Sequence, residues 1–94
     1  MKFVLKVKQK LSVTEFTEAQ PVKLDNEDGS FEEASITFAR TKANALLRRW
    51  ADGTGVKIRT QKDWVKNPKT KQFEKQLMVQ NGTTPETYVF IIEE

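Results

Sequence analysis

Hydrophobic and polar residues alternate along the first part of the chain as they do in a β-strand. Apolar residues occupy most odd positions from Phe3 to Val13, and lysines occupy four of the five even positions from Lys2 to Lys10. A period of two residues places these sets on opposite faces of a sheet, so we predict a long first strand with one solvated face. Val22 and Leu24 alternate again after a proline, which predicts a shorter second strand near a sheet edge.

A helical period follows in the middle of the sequence. Apolar residues recur there at spacings of three and four and share one helix face, namely Ala39, Ala43, Leu46, Leu47 and Trp50. The stretch 30–33 reads as a capping box, so we predict a helix from about Ser30 to Asp52, ended by Gly53 and Gly55. The stretch ASITFA also alternates like a strand, which leaves the first two turns of this helix open to that alternative.

Three more strands are predicted after the helix. The first holds Val56, Ile58 and Trp64, the second holds Phe73, Leu77 and Val79, and the third runs from Thr87 to Ile92. Asn67–Lys71 and Asn81–Pro85 have the composition of the turns between them. The fold class predicted for residues 1–94 is a single α+β domain, with one amphipathic helix on a mostly antiparallel sheet of about five strands in ββαβββ order.

The last predicted strand is apolar on both faces, which favours a central position or a second covering layer. Neighbouring residues of a strand point to opposite faces, so one helix cannot cover all of Tyr88–Ile92. The other face needs Phe16, Trp64 or another subunit over it. We therefore expect either a curled sheet or a homodimer.

Composition removes much chemistry. The chain has 94 residues with neither cysteine nor histidine, which excludes disulfides, thiolate and imidazole metal ligands and histidine-based catalysis. ADGTG reads as a helix end and LDNEDG as a solvated acidic turn, because neither continues into a phosphate or calcium loop. We predict no enzyme activity, no metal site and no cofactor. The start MKFVLKVKQK has no apolar signal core and no run is long enough to span a membrane, so we expect a cytoplasmic protein without membrane contact.

Charge is distributed unevenly along the chain. From Glu15 to Glu33 there are seven acidic residues against one lysine, and from Arg40 to Lys75 eleven basic residues against three acidic ones. The basic part centres on the predicted hairpin Val56–Val79. A basic hairpin of this kind is suited to phosphate contacts, whereas lysines on an exposed edge strand also serve to prevent edge-to-edge pairing.

The preferred hypothesis is a non-enzymatic accessory protein that binds DNA or RNA through this basic β-hairpin and its lysine-rich turn, without strong sequence specificity. Lysines and arginine would contact phosphates, and Trp64 would stack. The candidate nucleic-acid-binding residues are Arg59, Lys62, Trp64, Lys66, Lys69, Lys71 and Lys75. The first-strand residues Lys2, Lys6 and Lys8 are expected to matter much less.

The alternative hypothesis is a protein–protein interaction module, an inhibitor or assembly factor of the kind that mobile elements encode. It would act on a protein partner through the acidic segment or the apolar last strand. The sequence lacks the aromatic motifs of RNA-recognition modules, the loop of KH modules and the spacings of zinc modules.

Overall fold

A computed structural model describes residues 1–24 and 28–94 of the chain. In these residues six strands and one helix follow each other in the order β-β-β-α-β-β-β: β1 (Lys2–Lys10), β2 (Gln20–Pro21), β3 (Ser30–Glu32), α1 (Ile36–Thr54), β4 (Lys57–Lys66), β5 (Phe73–Asn81) and β6 (Thr84–Glu93). The predicted α+β class is confirmed, with one strand more than the sequence suggested.

All strand pairs are antiparallel, and the sheet order is β2-β1-β6-β5-β4, with β3 also pairing with β1. The last strand, β6, is therefore central, as its two apolar faces suggested. Strand β4 forms one edge of the sheet. The short strands β2 and β3 lie one after the other along the opposite edge, where they pair with Lys6–Val7 and Lys2–Val4 of β1.

The helix packs on one face of the sheet and forms the core with it. Leu46 and Leu47 are buried on the sheet side of α1, as predicted. Trp50 lies beside them, half-buried, with its ring edge-to-face against Tyr88 and Phe90. The sheet contributes alternate residues of its three longest inner strands to this core: Phe3, Leu5, Leu77, Val79, Phe90 and Ile92.

The helix begins later than the sequence indicated. Ser35 is its N-cap and its hydroxyl accepts a hydrogen bond from the Phe38 N–H, while Gly55 ends it in the left-handed conformation. The predicted start at Ser30 is wrong because Ser30–Glu32 pairs with β1 as strand β3, and Phe31 stacks on Phe3. Pairing with a distant strand here prevails over a local capping pattern.

The first strand is shorter than predicted, since the chain turns after Lys10. The Leu11 N–H donates to the Glu15 carbonyl, and Phe16 returns to form a bridge with Lys10. Leu11 and Val13 are consequently exposed at the tip of this turn. The predicted second strand is also displaced, because the paired residues are Gln20–Pro21.

Gly29 holds the two short edge strands against β1. Its backbone has φ 79°, and a Cβ there would stand 3.0 Å from the carbonyl oxygens of Leu5 and Val22. The Leu5 N–H donates to the Gly29 carbonyl at 3.0 Å, which the close approach makes possible. The interpretation of LDNEDG as a solvated acidic turn, and not a calcium loop, depends partly on Asp25–Glu27. These three residues lie outside the described part of the chain.

The sheet face opposite the helix carries Val89 and Ile91, which are buried within the single chain, at 6% and 5% exposure. Phe16 lies on this open face beside Val89. Trp64, the other residue offered as a cover, lies on the helix side, where its indole N–H donates to Asn44. A second subunit is not needed to cover these side chains. Within the described ranges, no helix is long and apolar enough to cross a membrane.

Candidate nucleic-acid interface

The open face of the sheet is organised in rows of directly paired residues. Paired residues in neighbouring antiparallel strands share a face, so the register defines each row. One row runs Lys8–Val89–Gln76–Lys62, the next Lys10–Thr87–Met78–Arg59, and a third Lys6–Ile91–Glu74–Val65. Basic side chains therefore stand on β1 in all three rows and on β4 in the first two, and neutral, apolar or acidic side chains lie between them.

The two basic rims of this face are three strand spacings apart, or about 14 Å at the usual separation of strands. Lys8 and Lys10 stand on β1, and Arg59 and Lys62 on β4. Lys6 belongs to the same rim but forms an ion pair with Glu93 at 2.9 Å. The face thus resembles a trough, with positive charge along both sides.

A groove of about 510 Å³ lies within this trough. Lys8 and Phe16 form one wall, and Lys62, Val65 and the turn at Asn67 form the other. Its full lining is Lys8, Phe16, Lys62, Val65, Lys66, Asn67, Pro68, Lys69, Glu74, Gln76 and Val89. Four lysines and one acidic residue, Glu74, thus line this space. Lys66, however, pairs with Phe73 in a helix-side row, so only Lys8, Lys62 and Lys69 are counted with the open face.

A β-bulge brings Lys62 to this groove. The β4–β5 register shifts between Thr60 and Lys62 and again between Lys62 and Val65. Thr60 pairs with Leu77 on the helix side, whereas Lys62 pairs with Gln76 on the open face, although strict alternation would put Thr60 and Lys62 on one face. Bulges re-aim side chains in this way and also blunt an edge strand against pairing with other chains.

The turn that carries Lys69 is held by Asn67. The Asn67 N–H donates to the Gln72 carbonyl, and the Asn67 carbonyl accepts from the Lys71 N–H, both at 2.8 Å. The side-chain oxygen of Asn67 accepts from the Lys69 N–H at 2.9 Å, and its amide nitrogen donates to Glu74 at 3.2 Å. Lys71 closes the turn in the left-handed conformation, with φ 64°.

The structure brings together only some of the predicted site residues. Lys62, Lys66 and Lys69 line the groove, and Arg59 lies one row beyond on the same face. Lys71 lies at the other side of the turn, where it lines a cleft of about 410 Å³ with Phe73 and the start of α1.

Trp64 and Lys75 are placed apart from the others, on the helix side. Both donate hydrogen bonds to the side-chain oxygen of Asn44, at 2.8 and 3.0 Å. The Lys75 ammonium also lies 3.4 Å from Asp63 and 5.8 Å from the centre of the Trp64 ring, and its side chain is only 13% exposed. These contacts secure the sheet to the helix, and neither residue reaches the groove.

Asp63 takes part in this helix-side arrangement. The hydrogen bond from the Trp64 N–H, together with the Lys75 ammonium, lowers the pKa of the Asp63 carboxyl below its usual value. The charged form that pairs with Lys75 is therefore favoured at neutral pH. The Lys75 ammonium is accordingly engaged by Asp63 and Asn44 within the fold.

Two groove residues were not found by reasoning from the sequence. Lys8 was set apart because it lies on the first strand, yet strand order brings it into the same row as Lys62. Phe16 was considered only as a cover for the sheet, but it is 41% exposed and its ring lies 4.4 Å from the Lys8 ammonium. Neither position could be read from local pattern, because both depend on which strands pair.

The acidic and basic segments lie at opposite edges of the sheet. The described acidic residues, in 15–18 and 28–33, follow the outer edge of β1, and the basic hairpin of β4 and β5 forms the far edge. The lysines of β1 lie next to the acidic edge, so the separation of charge between the two edges is partial.

No protein-family model matches the chain, and no curated protein or solved structure shows significant similarity to it.

Proposed function

We propose that this chain is a non-enzymatic nucleic-acid-binding protein, and that it binds phosphates with the open face of its sheet and the turn at 67–71. The observation that carries the proposal is the groove that Lys8, Lys62 and Lys69 line. Clustered ammonium groups around a concave surface favour a polyanion, because each neutralised phosphate releases condensed counterions.

The same groove argues against sequence-specific reading. Asparagine and glutamine read bases with free amide groups. Here the Gln76 amide donates to Gln61 at 2.8 Å, and the Asn67 amide donates to Glu74. The lysines that remain recognise charge and backbone shape, so we propose binding of low sequence specificity.

Fluorescence anisotropy with labelled oligonucleotides at several salt concentrations tests the proposal. The triple variant Lys8→Gln, Lys62→Gln and Lys69→Gln should bind far more weakly than the wild type. Its slope of log affinity against log salt should be shallower by about 0.7–0.9 for each lysine that contacts a phosphate.

A matched control has the same net charge. The variant Lys23→Gln, Lys42→Gln and Arg48→Gln also loses three exposed positive charges, but none of them lines the groove. It should retain most of the affinity. Equal losses in both variants would indicate a general charge effect, and absence of binding by the wild type at low salt would contradict the proposal.

The second candidate is a protein-interaction module that uses the acidic edge of the sheet. The acidic residues along the outer edge of β1 favour it, because they could bind a basic partner, although Lys6, Lys8 and Lys10 stand on β1 itself. The apolar last strand is not available for this role, since Val89–Ile92 is buried at the centre of the sheet. A stoichiometric protein partner retained after nuclease treatment of a lysate would favour this candidate.

A further inference from the structure

The groove contains an aromatic ring that phosphate binding alone does not require. Phe16 lies in its wall, 41% exposed, with the Lys8 ammonium 4.4 Å from the ring centre. Other large rings lie on the helix side of the sheet, where Trp50 packs edge-to-face against Tyr88 and Phe90, and the Trp64 indole N–H donates to Asn44.

The position of Phe16 is fixed by its backbone. Phe16 forms a bridge with Lys10, and the Thr17 N–H donates to the Gln9 carbonyl at 2.9 Å. The Thr17 hydroxyl accepts from the Gln9 N–H at 2.8 Å. The ring is thus presented by an ordered hairpin without being buried by it, which leaves part of its surface for a ligand.

We propose that the groove binds single-stranded nucleic acid in preference to duplex, with one base stacked on Phe16 and the adjoining phosphates on Lys8, Lys62 and Lys69. This inference rests on the proposed function and names its substrate class. Single-strand sites combine a basic groove with exposed aromatic rings, because an unpaired base offers a free π-face. A duplex keeps its bases stacked and paired, so Phe16 could not reach one.

The dimensions of the site agree with a single strand. Pockets for small ligands range from about 300 to 1,000 Å³, and the groove, at about 510 Å³, holds a ligand of the size of a nucleotide. Lys8 lies over one face of the Phe16 ring, so a base stacks either on the other face or in place of Lys8, whose ammonium then binds the adjacent phosphate. Lys62 and Lys69 line the opposite wall, where the strand would leave the groove.

The test titrates a labelled oligothymidine strand and a labelled hairpin duplex with each protein and measures binding by fluorescence anisotropy. The proteins are the wild type and the variants Phe16→Ala, Phe16→Leu, Phe16→Trp and Phe38→Ala. Phe38 is the matched control, because it is 60% exposed but lies on the helix. Loss of one base stack should weaken single-strand binding by about 5- to 100-fold in Phe16→Ala. Phe16→Leu, which keeps an apolar side chain, should lose affinity similarly.

Phe16→Trp and Phe38→Ala should bind the single strand like the wild type, and the salt slope should not change in any of these variants. Tighter binding of duplex than of single strand, or unchanged single-strand binding in Phe16→Ala and Phe16→Leu, would overturn the inference. The proposed function would survive either result, provided the lysine variants lose affinity. No binding of either nucleic acid would overturn both.

Discussion

At the scale of single residues, the side-chain oxygen of Asn44 joins helix and sheet. It accepts from the Trp64 indole N–H and from the Lys75 ammonium, which comes from the neighbouring strand. A half-buried donor that loses its partner carries a desolvation cost beyond the lost bond. Through this one oxygen, two of the predicted binding residues are hydrogen-bonded on the helix side of the sheet.

We predict that Asn44→Ala lowers the free energy of unfolding by about 0.5–1.5 kcal/mol, because two donors lose their acceptor at a site that water can reach. Its affinity for nucleic acid should stay at the wild-type value, since Asn44 lies on the helix side. Urea denaturation and anisotropy measured on the same preparation test the two parts. A variant that keeps its stability but binds more weakly would place Asn44, Trp64 or Lys75 in the interface.

Tyr88, the single tyrosine of the chain, gives a second prediction at this scale. Burial raises the pKa of Tyr88 to about 12, and the hydrogen bond from its hydroxyl to Glu86 adds to the effect. An unfolded chain loses this proton near pH 10, so the folded state holds more protons between about pH 10 and 12. Stability contributed by this group is present below about pH 10 and falls as the pH rises to about 12.

The absorbance of tyrosinate, followed during a pH titration, gives the pKa of Tyr88 directly because the chain has a single tyrosine. The native protein should ionise near pH 12, and Glu86→Gln should ionise at lower pH, because the carboxylate that opposes a second negative charge is gone. A native midpoint close to that of free tyrosine would show that the hydroxyl is solvated and does not hold the bond to Glu86.

At the scale of elements, the periodic patterns of helix and strands predicted the fold class correctly. The β-bulge and the start of the helix could not be predicted from such patterns. The helix face and the inner strands follow their periods because burial requires it, so the predicted burial of Leu46 and Leu47 is confirmed and Leu77 and Val79 share a buried face as predicted. The β-bulge at Lys62 moves its side chain to the opposite face from the one that strict alternation along β4 predicts. The bulge is a shift in the pairing of β4 with β5, so the sequence of β4 alone does not show it. The start of the helix was misplaced at Ser30 for the same reason, since only contact with β1 makes that segment a strand.

We predict that Leu46→Ala destabilises the protein by about 2–5 kcal/mol, the usual range for a buried leucine. Leu46 is 1% exposed, at the centre of the contact between helix and sheet. Phe38→Ala, on the exposed side of the same helix, should change stability by no more than about 0.5 kcal/mol. Chemical denaturation compares them, and equal small losses would show that α1 does not cover the core.

At the scale of the whole molecule, strand order decides which charges meet. The sequence showed that lysines were concentrated in one hairpin, but it contained no signal that β1 and β4 form the two rims of one face. Lys8 and Lys62 are 54 positions apart in the chain and share a row only because β6 and β5 lie between their strands. Candidate residues chosen along the hairpin therefore included Lys75 and omitted Lys8.

We predict that the chain is a monomer at micromolar concentration. Val89 and Ile91 are buried by their own neighbours, and the exposed edge strand β4 carries bulges and lysines that hinder pairing with a second copy. Sedimentation equilibrium checks this. A dimer that dissociates when Val65, exposed on β4, is changed to lysine would show instead that this edge pairs.

The central claim is that nucleic acid occupies the open face of the sheet, and mapping of backbone amide chemical shifts during titration with a short oligonucleotide tests it most directly. The account predicts that the largest changes fall on Lys8, Phe16, Lys62, Lys69 and Gln76, which converge only in the folded chain. The outer side of α1, around Lys42 and Arg48, should change little. Changes concentrated on that helix, or no changes at any oligonucleotide concentration, would contradict the account.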